Sequence, residues 1–296
     1  MQSQATSDRC RQRELNEIFF ALNEICPTFL QYTDLVKVAV HTALKHTSLA
    51  PYFLYDGTDN ALTDWLQKRE VPIIRCRTPL FERLRELSQR KQDPQILAIG
   101  AGAFLRVELP RLARELGIDD TYVLYTDCDV MFMKEVAEDL NEIGCRYFAV
   151  APEFDPADYQ HINTGVMLMN LKNLTAKDES FRKFVISNLE KFPCWDQSAY
   201  QWFYRGARNK FLRRNGWDRP PLEFNWKPYW GDYSGAKITH FHGPKPFQRE
   251  LVKSGGSPKI LQDLAKGSYQ ELCARWDLTG VMLIGGDGGK EKLAEN

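Results

Sequence analysis

The chain has 296 residues, and its 39 Lys plus Arg balance its 39 Asp plus Glu, so the formal net charge is zero. That length supports a large core in one domain, and the balanced charge leaves no basic footprint of the kind that nucleic-acid binding demands. The seven cysteines are scattered without a Cys-X-X-Cys pair, no apolar run approaches the roughly 20 residues of a membrane span, and Met1 to Arg13 is polar without an apolar signal core, so the expectation is a reduced, soluble, cytoplasmic protein.

After a polar tail over residues 1–15, Ile18 to Leu22 is an apolar run of strand length, and Thr33 is expected to cap a helix from Asp34 to His46. Pro51 to Tyr55 reads as a second strand closed by the Asp56-Gly57 turn, Ala61 to Glu70 as a helix and Val71 to Ile74 as a third strand. A helix from about Ala101 to Leu116 leads into the strand Tyr122 to Thr126. This alternation predicts an α/β fold, one domain over residues 16–278, with right-handed crossovers and a mostly parallel sheet covered by helices on both faces. Tyr147 to Ala151 and Gly165 to Leu171 read as further strands, Glu179 to Lys191 and Asp196 to Tyr204 as helices. Between Cys194 and Trp230 lie five of the seven tryptophans, which suit either a packed aromatic layer or a wall on which a sugar ring stacks. Residues 279–296 read as a flexible C-terminal tail, and the glycine cluster at Gly285 to Gly289 is not taken as a phosphate loop because no clear strand precedes it.

The chemistry concentrates at Asp127 and Asp129, which flank Cys128 where the strand ending at Thr126 runs out. Two carboxylates so close repel each other, and in a pocket of low dielectric they stay ionised only beside a divalent cation or several hydrogen bonds. The diphosphate of a nucleotide sugar is the natural substrate for such an ion. A solvated acidic loop would show the same two residues, so other segments must decide. A haloacid-dehalogenase-type phosphatase also uses Asp-X-Asp at a strand end, but on its first strand and with Thr two places on. Here position 131 is Met and at least three strands come first.

Three more segments follow in order: His161-Ile162-Asn163-Thr164-Gly165 through Leu171, then Asp196-Gln197, then Thr239-His240-Phe241-His242-Gly243-Pro244-Lys245-Pro246. With the acidic pair they resemble the motifs of the retaining glycosyltransferases of family 8, the group of glycogenin and the bacterial lipopolysaccharide galactosyl- and glucosyltransferases. The segment Phe104 to Pro110 is similar to that family's helix before the acidic motif, with Arg106 as the basic residue that reaches the donor sugar.

The resemblance implies a GT-A fold, a Rossmann-like sheet, and a hexose transfer from a nucleotide sugar, a UDP-sugar for most of the family. The implied cofactor is manganese, or magnesium in its place. It implies that Asp127 touches the ribose and the metal, that Asp129 binds the metal and that a nearby histidine completes the ligands. The family's spacing to the glycine and lysine favours His240, which leaves His242 for the diphosphate or for a hydrogen bond that orients the site, and Gly243 and Lys245 for the diphosphate. Asn163 would lie near the donor sugar, with Glu153 or Asp155 of the preceding loop accepting from its hydroxyls. Asp196 and Gln197 would line the anomeric carbon, although Asp196 would serve equally as a helix N-cap. Tyr32 would stack on the base, with Glu24 as the accompanying acid. Two departures stand out: the lysine motif is one residue shorter than the commonest form, and Phe247 replaces the usual tryptophan. The acceptor, whether glycan, lipid or protein, is not implied. A non-catalytic sugar-nucleotide binder or glycosylation scaffold is the alternative, and the joint presence of Asp127, Asp129, Asp196, His240 and Lys245 argues against it.

Overall fold

The computed structural model describes residues 15–205 and 216–288. The first half alternates as β1 (Glu17–Asn23), α1 (Phe29–His46), β2 (Ala50–Asp56), α2 (Ala61–Gln67) and β3 (Ile73–Arg75), followed by α3 (Phe81–Lys91), α4 (Pro94–Ala103), α5 (Leu109–Glu115) and β4 (Tyr122–Thr126). Then come β5 (Val130–Phe132), α6 (Ala137–Ile143), β6 (Phe148–Pro152), β7 (Ile162–Asn170), α7 (Leu171–Thr175), α8 (Asp178–Asn188) and α9 (Trp195–Tyr204). The last elements are β8 (Ile238–His240), α10 (Arg249–Lys253), α11 (Lys259–Leu264) and α12 (Tyr269–Gly288).

Among the described residues the main sheet has the order β3-β2-β1-β4-β7-β6, and β5 pairs with β8 in a separate ribbon. Strands β3, β2, β1 and β4 run parallel, whereas β7 is antiparallel to β4 and β6 antiparallel to β7. The mostly parallel α/β sheet expected from the sequence is therefore present, with β7 alone running against the other five strands.

Period-two alternation splits the sheet's side chains between two cores. Ile18, Phe20, Leu22, Leu124 and Leu168 enter the core under α1, α2 and α12, while Phe19, Val123, Tyr125, Met167 and Met169 enter the core under α3, α4, α5, α8 and α9. Because both faces are covered, these strands read as unbroken apolar runs. After β1 the chain goes to β2 on one side, and β4 joins β1 on the other. Such a reversal leaves a crevice at the strands' C-terminal ends, the usual place for a ligand in an open α/β sheet.

Several expectations need correction. Helix α1 starts at Phe29, so Thr33 lies inside it and donates to Leu30 O (2.6 Å) rather than capping; stacking of Phe29 on Tyr55 anchors the extra turn. The single helix over 101–116 is in fact the end of α4, a 3-10 turn over Phe104–Glu108, and α5. Pro110 explains the break, since it has no N–H to give to Arg106 O, and Leu109 N–H takes that carbonyl in a tighter bond. Helices α3 and most of α4 had no counterpart in the sequence reading. Helix α12 runs through Gly280 to Gly288, where a flexible tail was expected from residue 279. Burial of Leu272, Cys273 and Leu283 holds it, against a propensity loss of about 1 kcal/mol per glycine. Residues 289–296 of that tail, and all of the expected N-terminal tail except Leu15, lie outside the described residues.

Phe20 is fully buried on β1 and meets Phe132 edge-on, so it ties the main sheet to the ribbon. Phe20→Ala is expected to lower unfolding free energy by about 3–5 kcal/mol, read from urea unfolding midpoints. A loss below half of that would mean that this part of the core collapses to fill the space.

Candidate functional site

Strand β4 ends at Thr126, and the next N–H, of Asp127, still donates to Gly165 O at 2.7 Å. The chain then leaves the main sheet, turns through Cys128 and Asp129, and enters β5. Antiparallel pairing sets Val130 opposite His240, and Phe241 N–H donates to Asp129 O at 2.9 Å. The ribbon thus brings a histidine from late in the chain to the acidic loop. His240 Nε2 lies 3.4 Å from Asp129 Oδ1, and ligand atoms of Asp127, Asp129 and His240 all fall within 4.8 Å of one another.

This trio fits a divalent cation in three respects. Two carboxylates and one imidazole form a donor set suited to manganese or magnesium. Asp129 Oδ1 is buried with no hydrogen-bond partner among the described residues, an oxygen that a cation would satisfy. Residue 165 must also be glycine, because a Cβ there would overlap His240 Cε1 and stand 2.9 Å from Nε2 and 3.0 Å from Asp127 Oδ2.

Fixed cations offset the carboxylate repulsion. Asp127 Oδ1 accepts from Arg106 Nη2 at 2.8 Å and from the Tyr125 hydroxyl at 3.3 Å. Arg106 also donates to Thr164 O, places Nε 2.7 Å from Asp196 Oδ2, and covers the Tyr125 ring at 4.4 Å. Lys245 Nζ pairs with Asp129 Oδ2 and donates to Phe241 O at 2.9 Å. Burial works to raise the Asp129 carboxyl, but Lys245 and His240 outweigh it and hold the group well below the usual range. Lys245 responds in kind: burial works to lower its ammonium, and Asp129 reverses that. Asp196, which shares Arg106 with Asp127, behaves differently. Burial dominates there, opposed by Arg106 and reinforced by Asp127, and pushes its carboxyl up to about 6.

A chain of polar side chains, buried at His240, Asn225 and Asn163 and half-buried beyond them, leads away from the trio. His240 Nδ1 is 2.9 Å from Asn225 Oδ1, and Asn225 Nδ2 donates to Asn163 Oδ1 at 3.0 Å. Asn163 Oδ1 also accepts from Gly165 N–H at 3.2 Å, and Asn163 Nδ2 donates to Gln197 Oε1 at 3.4 Å. Gln197 Oε1 accepts from Thr164 N–H at 3.1 Å, and its Nε2 donates to Glu153 Oε1 at 3.0 Å. His242 closes the far end, with Nε2 3.6 Å from Glu153 and Nδ1 2.8 Å from the Tyr229 hydroxyl. Burial pulls its imidazole down to about 4, so it is neutral near pH 7.

A cavity of about 240 Å³ opens at the C-terminal ends of β1 and β4, and Tyr32, Arg106, Asp127, Asp129 and Lys245 line it together with Asn23. Asn23 was not anticipated; its Nδ2 donates to Ala98 O at 2.7 Å. Tyr32 stands against Phe247, ring centres 6.2 Å apart. Asn163, Asp196 and Gln197 lie beside this cavity through the contacts just described.

Other predicted residues sit differently. Asp155 is exposed and accepts from Ala157 N–H within its own turn at 2.8 Å. Glu153 takes the inward place, because its N–H pairs with His161 O at the root of the loop. His242 does not face the acidic pair: β8 stops at His240, His242 N–H bonds back to His240 O, and the strand alternation that equated the two histidines ends there. Gly243 has φ +107°, and a Cβ there would lie 2.8 Å from Leu264 Cβ, so it serves the backbone turn. Asp196 is inside α9, with Cys194 at the N-cap and Trp195 held at φ 45°. Glu24 accepts from Thr58 N–H at 2.7 Å, away from the cavity. The tryptophans form no single wall, since Trp217 stacks in the core on Phe148 while Trp226 and Trp230 meet edge to face. Asn225 and Tyr229 were missed, and the available signal was slight: polar groups inside the aromatic run Phe224 to Trp230.

Gly165→Ala is expected to destabilise the metal-free protein by about 1–3 kcal/mol through overpacking against His240, measured by denaturant unfolding. Unchanged stability would show that His240 moves aside freely.

No protein-family model matches the chain, and no curated protein matches it either. Solved structures do. The glycosyltransferase GlyE of Streptococcus pneumoniae TIGR4, in its apo form, aligns at 16% identity over 90% of this chain and 64% of its own, with a TM-score of 0.55. The galactosyltransferase LgtC, in complex with donor and acceptor sugar analogs, aligns at 18% identity over 84% and 95%, with a TM-score of 0.53. Mouse xyloside xylosyltransferase 1 in apo form gives 13% identity, 76% and 97% coverage, and a TM-score of 0.50. The chain spans less than two thirds of the length of GlyE. Likeness at such identities is likeness of fold: this sheet with its flanking helices is the GT-A fold of those glycosyltransferases.

Proposed function

We propose that the chain is a metal-dependent, retaining glycosyltransferase that moves a hexose from a nucleotide sugar, a UDP-hexose as the first candidate, to a hydroxyl of a glycan, lipid or protein. The observation that carries this reading is the convergence of Asp127, Asp129 and Lys245 on one cavity at the C-terminal ends of β1 and β4, with His240 set against both carboxylates. LgtC, solved with donor and acceptor sugar analogs on the same fold, supports such a use of this crevice.

Asp127, Asp129 and His240 Nε2 would hold manganese or magnesium, which supplies positive charge to the diphosphate leaving group. The residues do the rest. Lys245 carries its ammonium on a flexible stem beside Asp129, and the same charge suits the diphosphate oxygens. Arg106 fixes Asp127 and Asp196 relative to each other. Asn163, Gln197 and Glu153 offer amide and carboxylate groups to sugar hydroxyls. No carboxylate is assigned as a covalent nucleophile. The acceptor oxygen instead attacks the face from which the diphosphate leaves, and its proton passes to the departing phosphate oxygen. The anomeric configuration is thereby kept, and catalysis rests on positioning and electrostatics. Among the described residues no helix is long and apolar enough to cross a membrane, and an aqueous encounter with the donor is part of the proposal.

The direct test is turnover of labelled nucleotide hexoses with and without manganese, with proton NMR of the first product. Asp129→Ala is expected to reduce transfer by at least about 100-fold, as when a main electrostatic stabiliser is removed. Full turnover in excess chelator, or an inverted anomer, would overturn the reading.

Acidity provides an independent check. Asp196 is ionised above about pH 6 and takes up a proton below it, which dissolves its pairing with Arg106. At saturating metal, kcat/KM should fall by about tenfold per pH unit below that point, and Asp196→Asn should remove the limb. An acid limb that persists in the variant belongs to another group.

A further inference from the structure

Asn225 ends the 3-10 turn Leu222–Asn225, is 1% exposed, and lies outside the cavity lining. We infer that it is a positioning residue: it holds His240 as the Nδ1–H tautomer, turns the Nε2 lone pair toward the cation, and ties that orientation to the amides of Asn163 and Gln197. The inference rests on the metal site proposed above.

Some groups in the chain have no choice of role. Side-chain amides can be flipped and imidazole tautomers exchanged, so neither alone sets a direction. A backbone N–H, however, only donates, and an ionised carboxylate only accepts. Gly165 N–H meets Asn163 at one amide atom, which must therefore be oxygen. Thr164 N–H imposes the same on Gln197, and Glu153 accepts from the remaining end of Gln197, which must be Nε2. With Asn163 Oδ1 so fixed, the Asn225 atom 3.0 Å from it must be Nδ2. The other Asn225 atom, 2.9 Å from His240 Nδ1, is then oxygen. It demands a proton on Nδ1, and a neutral His240 presents a bare Nε2 toward Asp129 and Asp127.

Reversing any link sets acceptor against acceptor or donor against donor in a buried place, with no room for choice at either pinned end. The orientation is also supported from behind. His240 N–H donates to Trp226 O at 2.8 Å, and Trp226 N–H donates to Ile238 O at 2.9 Å, so the segment bearing Asn225 lies against β8 as an extra rung. Such orientation of a ligating histidine through its second nitrogen fixes both the ring and the lone pair. Asn225 thus lets one buried amide serve two ends of the site, the cation on one side and the sugar-facing amides on the other.

Two measurements on the full chain test this. In histidine-labelled, metal-free protein at a pH where imidazole is neutral, ¹⁵N NMR should show His240, assigned by its loss in His240→Gln, with a protonated Nδ1 and an unprotonated Nε2. An Nε2–H tautomer overturns the inference. This reading needs no metal and no variant of Asn225, so it stands apart from failure of the metal reading, which would appear as absent manganese binding by wild type. Manganese binding without donor, followed by electron paramagnetic resonance, should weaken about 10- to 100-fold in Asn225→Ala. Asn225→Asp still accepts from Nδ1–H but has no donor for Asn163, so it should retain manganese binding while losing the preference for nucleotide sugar over bare nucleotide. Wild-type affinity in Asn225→Ala, or equal manganese loss in both variants, would overturn the assignment.

Discussion

Two carboxylates held at the end of a central strand set the terms for everything around them. Strand β4 lies between β1 and β7, so Asp127 and Asp129 have no route apart and only partial access to water. In such surroundings Coulomb energies are several times larger than at a surface. Each partner of the pair arrives by a different structural device. Arg106 comes from a helix broken by proline, Lys245 from the turn after β8, and His240 from a ribbon that exists only through long-range pairing. The division of positive charge is uneven. Asp129 pairs closely with Lys245 and stays ionised, whereas burial raises the Asp196 carboxyl to about 6 against the pull of an Arg106 that also pairs with Asp127. One carboxylate is thus a fixed charge and another a responsive one, although the side chains are chemically identical.

What was legible in the sequence follows from burial. Strands β1, β2 and β4 stand between two cores, so nothing polar interrupts them and their runs are plain. Strands β5 and β8, three residues each, are too short to show a period; their presence depends on pairing that no local pattern encodes. Order and spacing singled out the acidic pair, Asn163, Asp196, Gln197 and Lys245, and the fold brings them together around Arg106 and the acidic loop. Spacing preferred His240 over His242, and in the fold it is His240 that lies with the carboxylates, since β8 ends at His240 before alternation can reach His242.

The misses share a different cause. The helix expected over 101–116 has helix-forming residues throughout, and one missing proline N–H decided its break. The glycines of α12 suggested a tail, but burial of Leu272, Cys273 and Leu283 outweighed local preference. Asp155 and Glu153 are equivalent on paper, and only the rung from Glu153 N–H to His161 O separates a residue at the loop's root from one at its tip. Asn225 carries no periodic or motif signal at all. Its position matters because three amides and two backbone donors meet in one buried line, a property of the folded chain and not of any segment.

The ribbon of β5 and β8 has a consequence for the order in which the molecule is built. Val130 and His240 are distant in the chain, so their pairing closes a long loop whose entropy must be overcome before any reward. The parallel strands β1, β2 and β4, by contrast, are complete once residue 126 has been made. A chain emerging during synthesis would therefore carry its acidic pair with Arg106 available but neither His240 nor Lys245 yet present. Asp127 thus has its Arg106 partner before Asp129 has Lys245, and the C-terminal third supplies the missing charge and the histidine by pairing with β5.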